Sequence, residues 1–294
     1  MNLSRTDLAV ETAEALPTGR DMFAPGTGVT KSECLLCGCP VTRIHVHTPA
    51  GARAIGKPEG RYITIDLRPA LSRQEALTGR AALCLCRELR ALLPPPSDGP
   101  ALVVGLGNQA ITPDNIGPGA VAHTLATRHL VSQVPEHFGH FRPVSALAAG
   151  VLASTGVESS ELVRAVADKI DPACVIAIDA LASRSLKRVC RTVQLSDTGI
   201  VPGSGVGNHR CALNEDTLHV PVLSIGIPTV IDGATLAADL LGADRLPRSA
   251  PGRDILVTPR DIDRQVRELG RVLGYALTWA LQDLDLDAIT SLLG

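Results

Sequence analysis

Residues 103–125, VVGLGNQAITPDNIGPGAVAHTL, decide the fold because they join a buried strand to a helix through a long loop. The stretch 105–110 fits the G-x-G-x-x-A pattern of a dinucleotide-binding turn, in which the helix starts at the glycines and holds a pyrophosphate. Here Pro113 and Pro118 delay the helix to about residue 118. Residues 119–135 also contain no acidic side chain to bind a ribose. The segment therefore predicts a strand, a loop and a helix that bind no dinucleotide.

The composition indicates a globular chain with an aliphatic core. Its 294 residues suit one large α/β domain or two small ones, and only 2% of them are aromatic. A net charge of −2 provides none of the basic surface that nucleic-acid binding needs. Residues 1–20 lack the apolar stretch of a signal peptide, and no apolar run reaches the roughly 18 residues of a membrane span. We therefore expect a cytoplasmic protein without nucleic-acid or membrane partners.

Strand and helix patterns alternate after residue 100, which predicts an α/β fold with a twisted, mostly parallel sheet flanked by helices. The expected strands are 101–106, 144–151, 173–179, 192–197 and 220–230. The expected helices are 119–130, 159–170, 180–189 and 261–284. Ligands of open parallel sheets bind beyond the carboxyl ends of the strands, so we expect the site at that edge.

The first hundred residues are expected to add smaller elements to this sheet. Residues 1–40 are polar and broken by proline and glycine, which predicts an arm with one short helix. The alternation in 41–48 and 61–67 predicts an added pair of half-buried strands within 41–67. Residues 71–93 have helical spacing, and 94–100, PPPSDGP, read as a linker-like loop.

Two aspartates fall where the chain leaves predicted strands: Asp114 follows 101–106, and Asp179 ends 173–179. Both positions open onto the same crevice of a parallel sheet. Two carboxylates held close together cannot both ionise freely, so one keeps a proton, and such a pair can activate water and protonate a leaving amine. Spacing alone leaves alternatives open. Asp114 can be a turn aspartate, and Asp197, at another strand end, is a rival to Asp179.

The loop 196–210, SDTGIVPGSGVGNHR, places Gly203, Gly205 and Gly207 at every second position. This spacing fits neither a phosphate-binding P-loop nor a dinucleotide fingerprint. The loop is either a flexible surface turn or a backbone-rich wall that lets a peptide or a phosphate approach closely.

The cysteines allow a metal site as an alternative to plain thiols. Cys34, Cys37 and Cys39 could combine with Cys84 and Cys86 to supply four or more thiolates. The last two, however, fall on a predicted helix, where positions i and i+2 do not share a face. We expect reduced thiols and no metal, and the sequence leaves the role of these five cysteines open.

Seven stretches together resemble the germination protease family, endopeptidases that degrade small acid-soluble spore proteins. They are 5–11 (RTDLAVE), 56–66 (GKPEGRYITID), 105–118, 154–166, 175–185 (VIAIDALASRS), 194–208 and 220–230. The resemblance implies an aspartic-type endopeptidase whose catalytic pair is Asp114 and Asp179, with no cofactor and no metal. It also implies a fold similar to that of hydrogenase-maturation endopeptidases. Those relatives use a metal, so a metal-dependent maturation endopeptidase is the alternative function.

The resemblance further implies a zymogen that cleaves its own Asp7–Leu8 bond, with residues 1–7 as the pro-segment and 8–294 as a single peptidase domain. It implies a homotetramer that acts in the spore core on small acid-soluble spore proteins during germination. Candidate substrate-binding residues are Asp197, Gly203, Gly205 and Gly207. The cysteine-rich stretch 32–40, SECLLCGCP, departs from the family pattern and leaves redox or metal regulation open.

Overall fold

The structure, a computed structural model, describes residues 6–14, 23–71, 77–95, 99–203, 211–242, 252, 254–282 and 284–293. Its strands are β1 (Val29–Leu36), β2 (Cys39–Val46), β3 (Gly60–Asp66), β4 (Ala101–Leu106), β5 (Val144–Gly150), β6 (Cys174–Ala182), β7 (Thr192–Ser196), β8 (Val222–Asp232) and β9 (Leu256–Val257). Its helices are α1 (Ala9–Glu14), α2 (Pro49–Ile55), α3 (Arg68–Leu71), α4 (Ala82–Leu92), α5 (Ile116–Ala122), α6 (Arg128–Gln133), α7 (Pro135–Phe138), α8 (Leu152–Thr155), α9 (Ser159–Ile170), α10 (Glu215–Leu218), α11 (Gly233–Leu241), α12 (Ile262–Leu281) and α13 (Leu286–Leu293). A π-helical turn, Leu77–Ala81, leads into α4.

The strands form one mixed sheet in the order β1-β2-β3-β7-β8-β6-β4-β5, and β9 pairs with β8. Strands β8, β6, β4 and β5 run parallel, whereas β1, β2, β3 and β7 join β8 through antiparallel pairs. The α/β class is confirmed, but the prediction of a mostly parallel sheet is wrong. The connection 183–191 between β6 and β7 is shorter than the dozen or so residues that a parallel crossover needs, so β7 returns antiparallel.

Helices cover both faces of the parallel strands, and this is why those strands are apolar throughout. Every residue of β4 is buried. Its Leu102 and Val104 pack with Val163 of α9, while Val103, whose side chain points to the opposite face, packs with Leu273 of α12. In the described ranges, no helix has the length and apolar character that crossing a membrane requires.

Most of the predicted helices are present, with changed limits. Helices α9 and α12 lie where the sequence places them, and α4 fills the second half of the predicted 71–93 helix. The predicted helix 119–130 is wrong in extent, because α5 ends at Ala122 and a separate α6 begins at Arg128. Helix α5 begins at Ile116, two residues before the start near residue 118 that the prolines predict, so the predicted long loop between β4 and this helix is present.

The predicted helix 180–189 is absent. Strand β6 continues to Ala182, and turns follow it. The backbone N–H groups of Arg184 and Ser185 donate hydrogen bonds to the carboxylate of Glu11, at 2.6 and 3.1 Å. These donors are therefore held by a distant acidic side chain, and a local helix does not form.

The predicted N-terminal strand pair is confirmed as β2 and β3, which pair antiparallel. A third strand that the sequence did not predict, β1, pairs with the outer side of β2. Its sequence VTKSECLL is polar and mostly exposed, because a strand at the edge of a sheet needs no continuous apolar face. Strands β1–β3 cover a separate cluster that includes Leu8, Ile44 and Ile55. The predicted linker 94–100 connects α4 to β4, and its residues 96–98 lie outside the described residues.

Glu11 on α1 ties the N-terminal segment to the end of β6. Its carboxylate is only 1% exposed, and a buried carboxylate is stable only when its oxygens are paired. The Thr6 hydroxyl donates to it from the same segment. The donors from beyond β6 are the Ser183 hydroxyl (2.7 Å), the N–H groups of Arg184 (2.6 Å) and Ser185 (3.1 Å), and the Arg188 guanidinium (3.4 Å). Residues 6–11 and the stretch ALASRS are thus one structural unit.

Glycines allow the loop between β4 and α5 to fold back onto β6. A Cβ atom at Gly107, where φ is +114°, would lie 1.9 Å from the carbonyl oxygen of Asp114. A Cβ atom at Gly117 would lie 2.5 Å from the carbonyl oxygen of Ile178 on β6. Only glycine permits such backbone contacts. The G-x-G pattern therefore serves a tight corner that brings Asp114 close to the neighbouring strand.

We expect Glu11→Ala to lower the free energy of unfolding by about 3 kcal/mol, because it leaves Arg188 and two backbone donors without their buried acceptor. Glu14→Ala is the matched control, since Glu14 binds the same Arg188 but is about half exposed. It should cost less than about 1 kcal/mol. Urea denaturation of both variants tests this. Equal losses would contradict the role given to Glu11.

Candidate active site

Asp179 is a buried carboxyl group within β6, which runs three residues beyond it to Ala182. Its side chain is 5% exposed and accepts hydrogen bonds from the N–H groups of Ala180, at 2.9 Å, and Gly203. Burial raises the pKa of Asp179 to about 8, and the negative charges of Asp114 and Asp7 act in the same direction. Asp179 therefore holds its proton at neutral pH.

Asp114 ends the 3-10 turn Thr112–Asp114, in the loop that the glycines fold over β6. Its Oδ2 accepts a hydrogen bond from the backbone N–H of Asn108, at 2.7 Å. This bond crosses the loop and fixes the orientation of the carboxylate. Because the charge of Asp114 raises the pKa of Asp179, the two groups interact electrostatically.

Both aspartates line one cavity of about 330 Å³ whose walls are mostly apolar, including Ile111 and Leu181. Thr229 lines it too. Among the described residues, the Thr229 hydroxyl is buried without a hydrogen-bond partner. An unsatisfied buried hydroxyl is unfavourable, so this oxygen is available to a substrate or a water molecule. The cavity offers one protonated and one charged carboxyl group in apolar surroundings, which suits general acid–base chemistry.

The predicted cleavage site, Asp7–Leu8, is held firmly on the same region of the sheet. The Asp7 N–H donates to the carbonyl oxygen of Ala182 (3.1 Å), and Asp7 Oδ2 accepts from the Ala182 N–H (2.9 Å). The carbonyl oxygen of Asp7 accepts from Lys57 Nζ at 2.8 Å. Leu8 is completely buried. Both residues of the bond are therefore fixed, and Asp7 is near enough for its charge to act on Asp179.

The other predicted site residues separate into three environments. Gly203 lines the aspartate cavity and donates its N–H to Asp179. Gly205 and Gly207 lie outside the described residues. Asp197 follows the antiparallel strand β7 and forms an ion pair with Arg61, with its Oδ2 2.7 Å from Arg61 Nε. Asp197 is thus not brought to the cavity of the aspartates by the described part of the chain.

The structure brings together only some of the five cysteines that the sequence allowed as an alternative metal site. The thiols of Cys39 and Cys84 are buried and hydrogen-bonded to each other, which lowers the pKa of Cys39 and raises the pKa of Cys84. Cys34 is exposed, and its sulfur accepts a hydrogen bond from Arg43 at 3.2 Å. Where the chain is described, no three cysteine, histidine or acidic side chains are grouped so that they could hold a metal ion.

Sequence reasoning missed three residues of this region: Lys57, Gln194 and Thr229. Lys57 and Gln194 lie within the stretches GKPEG and QLSDTG that carry the family resemblance. The resemblance could therefore have drawn attention to them, but no sequence pattern indicated what their side chains bind. Thr229 is the polar residue of the otherwise apolar run IPTV, and a polar side chain in a buried strand is the pattern that could have identified it.

Comparison with known proteins identifies the family. The family model described as "Germination protease" matches residues 7–243. A germination protease from Clostridium perfringens is 37% identical, with 95% of each chain covered. One from Caldanaerobacter subterraneus is 43% identical over 95% of this chain and 94% of its own, and one from Bacillus subtilis is 43% identical over 81% of this chain and 66% of its own. The chain belongs to the germination protease family and is therefore a peptidase that acts on protein substrates.

Proposed function

We propose that the chain is an aspartic-type endopeptidase that begins the degradation of small acid-soluble spore proteins in the spore core during germination. The observation that carries this proposal is the buried Asp179, whose pKa is raised to about 8 in a cavity that it shares with Asp114. A pair with one proton and one charge contains both the acid and the base that peptide hydrolysis requires.

In the proposed reaction, Asp114 is the base and Asp179 is the acid. Asp114 accepts a proton from water as the water oxygen bonds to the carbonyl carbon, and the π electrons move onto the carbonyl oxygen. Asp179 then gives its proton to the amide nitrogen as the carbon–nitrogen bond breaks. The products are a carboxylic acid and an amine. Acid–base help of this kind contributes about 10²–10⁴-fold to the rate, and positioning supplies the rest.

We further propose that the chain is a zymogen and that the aspartate pair cuts the Asp7–Leu8 bond. The docked position of Asp7 against Ala182, three residues from Asp179 on β6, supports this. Residues 1–7 are then the pro-segment and 8–294 the peptidase domain, which we propose assembles as a homotetramer. Gly203 and the neighbouring loop, with Asp197, are proposed contacts for the substrate strand.

A metal-dependent maturation endopeptidase is the alternative that the sequence raises. It has no candidate ligand set within the described ranges. A chelator added to the cleavage assays below separates the two functions, because hydrolysis by the aspartate pair needs no metal ion.

We expect Asp114→Asn and Asp179→Asn each to lower the rate of cleavage at least 100-fold, because each removes the acid or the base. Incubation with a purified small acid-soluble spore protein, followed by mass spectrometry of the fragments, measures this. The intact masses of the same variants should show that residues 1–7 are retained.

Asp168→Asn is the matched control, since Asp168 is an exposed residue of α9. It should cleave and self-process at the original rate. Thermal unfolding confirms that the three variants are folded. Normal cleavage by a folded Asp114→Asn or Asp179→Asn variant would remove that residue from the mechanism.

The cleavage rate should fall as the pH rises through about 8, because Asp179 then loses the proton that it must donate. The profile of kcat/KM against pH for a small acid-soluble spore protein measures this value in the free enzyme. A cleavage rate that stays constant from about pH 7 to about pH 10 would contradict the role of Asp179 as the acid.

The same pKa predicts how stability depends on pH. Unfolded Asp179 ionises near pH 4, its ordinary value, while the folded residue does so at about 8. Between these values the native state holds a proton that the unfolded state has lost, so stability falls as the pH rises, by about 1.4 kcal/mol per unit. Asp179→Asn has no such proton to lose. The free energy of unfolding of this variant, measured by urea denaturation relative to the unmodified protein, should therefore rise from pH 5 to pH 7. The same difference for Asp168→Asn should not change with pH.

A further inference from the structure

The carbonyl oxygen of Asp7 is held by two side chains from different parts of the chain. Lys57 Nζ lies 2.8 Å from this oxygen, and Gln194 Nε2 lies 3.3 Å from it. Lys57 follows α2, and Gln194 lies on β7. Both side chains therefore donate to the carbonyl oxygen of the Asp7–Leu8 peptide bond.

Gln194 also binds the other side of that bond. Its Oε1 accepts a hydrogen bond from the N–H of Ala9 at 2.7 Å. One amide side chain therefore spans Leu8, contacting the carbonyl before it and the N–H after it. Leu8 itself is completely buried among apolar side chains. Such two-sided contacts hold a peptide in a fixed register, as binding of a substrate backbone requires.

The strand register places Gln194 in the same row as Asp179. Asp179 lies opposite Gly226 on β8, and Gly226 lies opposite Gln194 on β7. Residues opposite one another on neighbouring strands present their side chains to the same face. Gly226, between them, has no side chain, and the side chain of Leu181 packs over it.

The surroundings of Lys57 suit a cation that meets a developing negative charge. Burial lowers the pKa of Lys57, and the charges of Asp7 and Glu11 offset only part of this shift. An ammonium group in a partly dry site interacts more strongly with a nearby charge than it does in water. The cavity beside it, about 400 Å³, is lined by Asp7, Lys57 and Gln194.

We propose that Lys57 and Gln194 are the carbonyl-binding pair of the enzyme, which stabilises the negative oxygen formed when water attacks the cleaved bond. This inference rests on the proposed function, since it assumes that the aspartate pair cuts Asp7–Leu8 and that protein substrates take the same place.

The pair completes the electron balance of the attack. As the water oxygen bonds to the Asp7 carbonyl carbon, the π electrons move to the carbonyl oxygen, where the Lys57 ammonium and the Gln194 amide each donate a hydrogen bond. The proton of Asp179 is then free for the Leu8 nitrogen when the carbon–nitrogen bond breaks. The oxygen re-forms its double bond, and the donors are left unchanged.

The test measures two reactions of the full-length chain. The first is the first-order conversion to a chain that begins at Leu8, followed by intact mass. The second is the steady-state cleavage of a synthetic peptide with the sequence of residues 1–14, MNLSRTDLAVETAE. We expect Lys57→Met to lower kcat for the peptide about 100-fold with KM changed only a few-fold, and Lys57→Arg to restore part of the rate. Self-processing should slow in parallel.

Lys169→Met is the matched control, because it removes the charge of an exposed lysine on α9. It should leave both rates unchanged. If Lys57→Met does not fold, Gln194→Met gives the second test, with an expected loss of at least 10-fold in kcat. A folded Lys57→Met that retains the original kcat overturns the inference.

The Asp179→Asn variant separates this failure from failure of the proposed function. If Asp179→Asn cleaves the peptide normally, the proposed function fails. If Asp179→Asn is inactive and Lys57→Met is fully active, the proposed function stands and the carbonyl-binding role is refuted.

Discussion

The buried carboxyl group of Asp179 is the constraint on which the rest of the site depends. A carboxylate that is 5% exposed on an apolar strand is too costly to remain charged beside a second acid, so it keeps its proton. The chain must bring that second acid, Asp114, to the same cavity without filling it. Gly107 and Gly117 allow this, because side chains at either position would collide with the backbone that carries the aspartates.

The N-terminal segment belongs to the site because of a second buried acid. Glu11 joins α1 to the turn after β6, and that turn lies directly beyond the strand that carries Asp179. Separate hydrogen bonds hold Asp7 against Ala182 and its carbonyl oxygen against Lys57. The N-terminal segment is therefore held at the end of β6 on both sides of the bond that we propose is cut.

The sequence predicted what depends on local pattern and missed what depends on distant partners. The buried strands, α9 and α12 follow from apolar periodicity, and the delayed start of α5 follows from Pro113 and Pro118. The missing helix after β6 does not, because a buried contact from Glu11 holds the backbone there. The antiparallel course of β7 was missed because the predicted connection 180–191 allowed a parallel crossover, whereas the observed connection 183–191 is too short for one. Spacing left Asp197 open as a rival to Asp179, and the family resemblance was needed to choose between them. Lys57 and Gln194 could not be predicted, since their role appears only once the N-terminus is folded onto the sheet.

The site also explains why the sheet is assembled as a mixture of parallel and antiparallel strands. Keeping Asp179 neutral makes the native state less stable as the pH rises, and the apolar parallel strands around β6 supply the burial that offsets this cost. The parallel strand β6 supplies Asp179, and the loop after β4 supplies Asp114. The antiparallel strand β7 adds Gln194, which lies opposite Gly226. We propose that a peptide is bound along this face of the sheet, with its carbonyl group held by Lys57 and Gln194 as that of Asp7 is.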